Sequence, residues 1–248
     1  MKNQIILHIP HSSINIPCYD GYIVDKEILE KEILKLTDWY TDDLFFSKED
    51  IIIKSEFSRI FCDTERFIDE SKEIMAQFGM GVLYKKNDDG TVIRILDHET
   101  KEMILNDYYW THHKKFTLVV DDQLAIFEKA LILDCHSFPS EPLNRDIDKN
   151  PKRPDFNIGT DAYHTPKNLI EISKDFFKNA GYYLEIDWPY KGSIVPIKHY
   201  RQNKNVMSIM LEINRALYLK EPSNERSANY TEIKKVTGEF IKSIKTIL

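Results

Sequence analysis

Residues 6–17 read "ILHIPHSSINIP": a short apolar run fit for one buried strand, then a polar segment bracketed by prolines, with His8 and His11 three positions apart. A strand that delivers imidazole and hydroxyl groups into the loop behind it is how an open α/β sheet brings chemistry to its strand ends. The run belongs to a strand expected over 4–9, and similar runs follow at 50–55, 81–86, 130–136, 182–187 and 206–214. Helical periodicity covers 25–46, 105–130, 166–181 and 229–248. This alternation predicts an α/β fold, a three-layer α/β/α sandwich around a mixed, largely parallel sheet. Asn179-Ala180-Gly181 reads as a helix stop and Asn106 or Asp107 as a helix start. The segment 139–160, with four prolines, reads as a long loop, and "NDDGT" at 87–91 as a hairpin turn.

At 248 residues the chain suits one large domain, 1–248, with a core filled by its 42% hydrophobic and 12% aromatic residues. The net charge of −6, spread along the chain, argues against a nucleic-acid binder and supplies no polybasic membrane patch. Cys18, Cys62 and Cys135 form no Cys-x-x-Cys pair, so neither a disulfide framework nor a thiolate zinc site is indicated. The N-terminus lacks a leader pattern and no run approaches ~18 apolar residues, so a soluble, cytoplasmic protein is expected.

"LILDCHS", 131–137, is the strongest local signal for chemistry. In a strand Ile132, Asp134 and His136 share one face and Cys135 the other. An Asp134/His136 pair at the strand end is therefore favoured over a cysteine nucleophile, against the alternative of a structural histidine. Asp38 and Asp42 in "TDWYTDDLF" share one face if the segment is helical; a divalent cation would offset their repulsion, and a solvated acidic face is the alternative. Glu212 in "SIMLEINRALY" is a carboxylate in an apolar strand, suited to acid–base work or to an ion pair with Arg215. Arg59 and Arg66 present forks for a substrate carboxylate, or pair with Asp63 and Glu65. His112 and His113 face different sides of a helix, so at most one points at any given site. "GMG" at 79–81 lacks the third glycine of a dinucleotide fingerprint, there is no Walker loop, and Ser137 sits in no nucleophile elbow.

Taken in order, "PHSSINIP", "TDWYTDDLF", "SRIFCDTERF", "GVLY", "YWTHHKKF", "LILDCHS", "DFNIGT", "PYKGSIVP" and "LEINRALY" resemble the N-formylglutamate amidohydrolase family. The resemblance implies the phosphorylase/hydrolase-like fold of zinc carboxypeptidases, and a zinc enzyme that releases formate from N-formyl-L-glutamate in histidine breakdown. It implies His11 and His136 as zinc ligands with a carboxylate from elsewhere, Asp42 or in its place Asp38, since Ser12, Ser13 and Ile14 follow His11. It also implies Glu212 as general base for a zinc-activated water and His113 as helper at the oxyanion. Arg66 and Arg215 are implied as clamps on the substrate carboxylates, Arg59 as reserve, and Lys191-Gly192 as pocket rim. His8 is read as packing. Ser13 stands where glycine is common in the family, a departure that removes no ligand. The partner expected is a small N-acyl amino acid; another acyl group on the same zinc site, or a non-catalytic binder of small carboxylates, are the rival readings.

Overall fold

The computed structural model describes residues 4–248. Strands β1 (Ile6–Ile9), β2 (Ile51–Lys54), β3 (Ala130–Phe138), β4 (Phe156–Gly159), β5 (Leu184–Ile186) and β6 (Val206–Asn214) form one sheet, ordered β2-β1-β3-β6-β4-β5. All neighbours are parallel except β4 and β6. Helices α1 (Lys26–Leu36), α2 (Thr41–Leu44), α3 (His98–Ile104), α4 (Thr111–Phe127), α5 (Lys167–Ala180) and α6 (Tyr230–Ile244) flank it. A mixed, mostly parallel sheet with flanking helices is the α/β arrangement that the alternating runs foretell.

The central strands β3 and β6 are buried along all nine residues of each. Strand alternation divides them cleanly. Leu131, Leu133 and Cys135 with Ile209, Leu211 and Ile213 pack against Phe177 of α5 and Ile233, Val236 and Phe240 of α6. On the opposite face Ile6, Ile132 and Val206 pack with Phe116 and Val120 of α4. Further along that second face the same strands carry His8, Asp134, His136 and Glu212. One end of the face is thus anchored by apolar burial and the other, at the carboxyl ends of the parallel strands, is left for chemistry.

Several local expectations are corrected. Segment 25–46 is not one helix: α1 ends at Leu36, Thr37 is extended, and Tyr40 turns left-handed at φ 62 before the short α2. The break is held from outside, because the Asp38 N–H donates to the His11 carbonyl at 3.0 Å. Asp38 and Asp42 therefore do not share a helix face. The helix expected from 105 begins earlier, where the Asp97 carboxylate accepts the Thr100 N–H at 2.7 Å, and it runs through a π-helical turn at Leu105–Trp110 into α4. Asn106 and Asp107 are interior to it. Residues 81–86 form no sheet strand; the Val82 carbonyl instead accepts the Asp63 N–H at 2.7 Å. The last residues of the supposed 139–160 loop are β4, whose partner across the antiparallel edge is β6. The stop at Gly181 (φ 80) and the turn at 87–91, closed by an Asn87 N–H to Thr91 carbonyl bond of 3.0 Å, match expectation. Among the described residues no helix is long and apolar enough to cross a membrane.

Glu32 of α1 gives the fold a pH dependence away from the strand ends. Its carboxylate accepts the Asp88 N–H at 2.7 Å, tying α1 to the 87–91 turn, and burial pushes its pKa up to about 7. A carboxyl raised above its unfolded value contributes stability that is full below about pH 4.5 and is lost as pH rises through about 7. Glu32→Gln keeps the acceptor and cannot ionise. Urea unfolding is expected to show the variant more stable at pH 8 by about 1–3 kcal/mol and matched to the parent at pH 5. An equal difference at both pH values would show that Glu32 does not titrate in this range.

Candidate metal centre

Register places the polar end of the sheet. His8 of β1 is the partner of Asp134 on β3, and His136 of β3 is the partner of Glu212 on β6. Their side chains project from one face, as parallel partners do. Two loops close over them. The loop after β1 carries Pro10 and His11, and the loop after β2 carries Asp63, Thr64 and Glu65, docked on the first loop by a Ser58 N–H to Asn15 carbonyl bond of 2.8 Å.

His11 and His136 converge with Glu65. One ligand atom from each of the three lies within 4.8 Å of the others. His11 Nε2 meets Asp63 Oδ1 at 2.9 Å, and its buried Nδ1 has no hydrogen-bond partner, the Asp38 carboxylate lying 3.6 Å off. His136 Nδ1 meets Asp38 Oδ2 at 3.1 Å, while its Nε2 faces Glu65 Oε2 at 3.0 Å and Asp134 Oδ1 at 3.1 Å. Each imidazole is oriented through one nitrogen by a carboxylate, Asp63 or Asp38; His136 turns its other nitrogen toward Glu65, and His11 leaves its other nitrogen without a partner. That is how metal-ligating histidines are held. Glu212 Oε2, on the neighbouring strand, is buried without a partner, and so is Glu65 Oε1.

Charge is concentrated in the same space. Asp38, Asp63, Glu65, Asp134 and Glu212 bring five carboxyl groups to this space against the three guanidiniums of Arg59, Arg66 and Arg215. Burial lowers the pKa of His8 and His136, but the facing Asp134 and Glu65 outweigh it and raise both, so these imidazoles carry compensating charge when no ion does. Burial opposes ionisation of Asp63, but His11, Arg59 and Arg66 outweigh it and hold the carboxyl well below its usual range. Burial likewise opposes Glu65, and His136 and His8 outweigh it. Glu212 goes the other way. Burial pushes it up to about 8, with His136 pulling back and Asp38 adding to the rise. An N,N,O donor set with unpartnered inward atoms suits zinc or a similar divalent ion.

The structure brings His11, His136 and Glu212 together but leaves Asp42 out. Its side chain is 44% exposed and lies 3.6 Å from Lys54, because the break at Thr37–Tyr40 turns it away. Asp38 is buried at the site, with its Oδ1 held by Arg215 at 2.9 Å and its Oδ2 by His136 at 3.1 Å, so both oxygens are engaged. Arg215 also donates to the Lys35 carbonyl at 2.6 Å and the Ser137 carbonyl at 3.3 Å, which leaves its fork committed and no Glu212–Arg215 pair. Arg59 grips Asp63 at 3.1 Å and the Tyr84 hydroxyl at 3.1 Å. Arg66 keeps an unpartnered buried Nε, 3.5 Å from Asp63. Lys191 is 75% exposed and 3.9 Å from Asp187, outside the cluster. His113 donates its Nε2–H to the Thr64 carbonyl at 2.9 Å, and burial lowers its pKa to about 4. A neutral ring with its single N–H so placed has no donor for an oxyanion; it braces the Glu65 loop instead.

Glu65, Asp63 and His8 are the residues sequence reasoning missed. Glu65 and Asp63, two apart after a strand in "CDTER", were the available signal, read there only as partners for arginines. A family model described as N-formylglutamate amidohydrolase matches residues 3–219. The chain is similar to the crystal structure of N-formylglutamate amidohydrolase from Ralstonia eutropha JMP134, at 21% identity and TM-score 0.86, over 99% of this chain and 94% of that one. It is also similar to the crystal structure of gene product Atu2144 from Agrobacterium tumefaciens, at 14% identity and TM-score 0.66, over 99% of this chain and 90% of that one. No curated protein matches it.

Proposed function

Because the chain belongs to the N-formylglutamate amidohydrolase family, we propose that it hydrolyses N-formyl-L-glutamate to formate and L-glutamate, as one catalytic domain spanning 1–248. One zinc ion would be held by His11, Glu65 and His136. When bound, such an ion polarises a carbonyl oxygen and acidifies water at neutral pH. The observation that carries the reading is Glu212: a buried carboxylate with an unpartnered Oε2, on the strand beside His136 and raised toward neutrality.

Glu212 Oε2 takes the proton of the attacking water and later delivers it to the departing amine nitrogen, the two tasks of one acid–base group near neutral pH. Asp38 and Asp63 keep the His136 and His11 rings oriented throughout. Arg66 offers its unpartnered Nε–H to a substrate carboxylate, with Arg59 beside it and Lys191 at the rim. Arg215 acts on Asp38 rather than on substrate.

The test is formate release from N-formyl-L-glutamate by purified protein. Release is expected to vanish with a chelator and to return when zinc is restored. Folded, zinc-loaded protein that yields no formate would send the search to other N-acyl amino acids.

A further inference from the structure

Beside the donor group of His11, Glu65 and His136 lies a second one, His8, Glu65 and Asp134, sharing Glu65. It is either a place for another cation or a place already filled by a proton. What sets it apart from the first group is the far side of the ring: His136 Nδ1 is held by the Asp38 carboxylate, whereas His8 Nε2 meets another imidazole. His8 Nδ1 lies 3.0 Å from Asp134 Oδ1 and 3.3 Å from Glu65 Oε1. Ionised carboxylate oxygens only accept, so Nδ1 carries the hydrogen. Its Nε2 lies 3.0 Å from His112 Nε2, a contact that requires one hydrogen between the two rings in either direction. His112 Nδ1 continues to the Ser55 hydroxyl at 3.4 Å, and Ser55 to the Thr64 hydroxyl at 3.2 Å. The His8 ring is fully buried and stacked on Phe116 with centroids 4.7 Å apart.

The carboxylates on the far side are equally determined. Asp134 Oδ2 accepts the Ile194 N–H at 3.1 Å, so Asp134 is fixed from both oxygens. Glu65 Oε1 lies 3.3 Å from His8 Nδ1, a contact of opposite charge rather than an aligned hydrogen bond. The other oxygen, Oε2, lies 3.0 Å from His136 Nε2.

Resting on the metal-centre reading above, we propose that His8 is a positioning residue: its Nδ1–H orients the Glu65 carboxylate for a single cation and occupies the second donor group, so the centre binds one ion. The His8–His112 pair is then a built support for a metal ligand supplied by a loop. Outer partners of this kind commonly change metal affinity 10- to 100-fold.

The experiment measures zinc stoichiometry and affinity by competition with a chromophoric chelator, and the visible spectrum of the cobalt-loaded protein. The unfolding midpoint of metal-free protein is recorded alongside. Wild type is expected to bind one ion. His8→Leu, which lacks a donor, is expected to lose about 10- to 100-fold in zinc affinity and to show an altered cobalt spectrum. His8→Asn, whose Nδ2 can replace the Nδ1–H, is expected to recover most of the affinity. His112→Phe, which removes only the rear support, covers the case of a His8→Leu protein that does not fold; it is expected to lose a smaller part. Wild-type affinity in His8→Leu or in His112→Phe, or His8→Asn as weak as His8→Leu, would overturn the proposal. Two ions in wild type would make His8 a ligand and overturn it as well. A wild-type protein that binds no ion fails the metal-centre reading itself, which separates the two failures.

Discussion

Glu212→Gln is expected to lower kcat by about 10²- to 10⁴-fold, the range over which a positioned acid–base group acts, while zinc content and substrate binding persist. The expectation follows from where the side chain sits. β6 is buried along its whole length and registered residue for residue on β3, so an isosteric amide leaves His136 and the metal ligands undisturbed. The amide cannot accept and return a proton. Because Glu212 is raised to about 8 by burial, the variant also removes a charge that the folded state disfavours. Its thermal midpoint should equal or exceed the parent's at alkaline pH, which rules out misfolding as the cause of lost turnover. Near-normal kcat in Glu212→Gln would remove this residue from the mechanism.

Glu65→Ala and Asp42→Asn, compared side by side, are expected to part completely. Glu65 is a carboxylate between two imidazoles, and its loss should weaken zinc by at least about 100-fold and abolish turnover at ambient zinc. Asp42 faces solvent beside Lys54, an exposed pair that contributes about 0–1 kcal/mol, so Asp42→Asn should keep stoichiometric zinc and nearly full activity. Zinc content by elemental analysis after gel filtration reads both. Zinc retained in Glu65→Ala and lost in Asp42→Asn would restore the assignment drawn from helical spacing.

The contrast between these residues marks what the sequence makes legible. His136 and Glu212 lie inside long apolar strands, where alternation alone assigns a face, and His11 follows a strand by one proline. Spacing was a sound guide there. It failed for Asp38 and Asp42 because no glycine or proline announces the break at Thr37–Tyr40; a backbone bond to His11, distant in sequence, holds it open. Glu65 was hidden for a related reason. Its loop has no periodicity of its own and is shaped by docking on Asn15 and Val82. His8 looked like packing because its partners, His112 and Asp134, stand 104 and 126 positions away. β4 escaped notice as four residues whose pairing depends on β6 rather than on a pattern of their own.

The pairing of β3 with β6 also governs when the site comes into being. Residues 136 and 212 are register partners across a long intervening chain, and parallel pairing of this kind closes a large loop before its contacts repay the lost entropy. A chain emerging from the ribosome can form β1, β2 and their loops early, presenting His11 and Glu65 with no opposite wall. On the proposed function, affinity for zinc and catalytic competence would therefore arrive at different moments. The proposed ligands through His136 would be present once β3 had docked, whereas Glu212 would be added only with β6, the last strand in the chain, which lies between β3 and β4. Refolding followed by zinc uptake and by formate release should show uptake leading activity, with the lag set by insertion of β6.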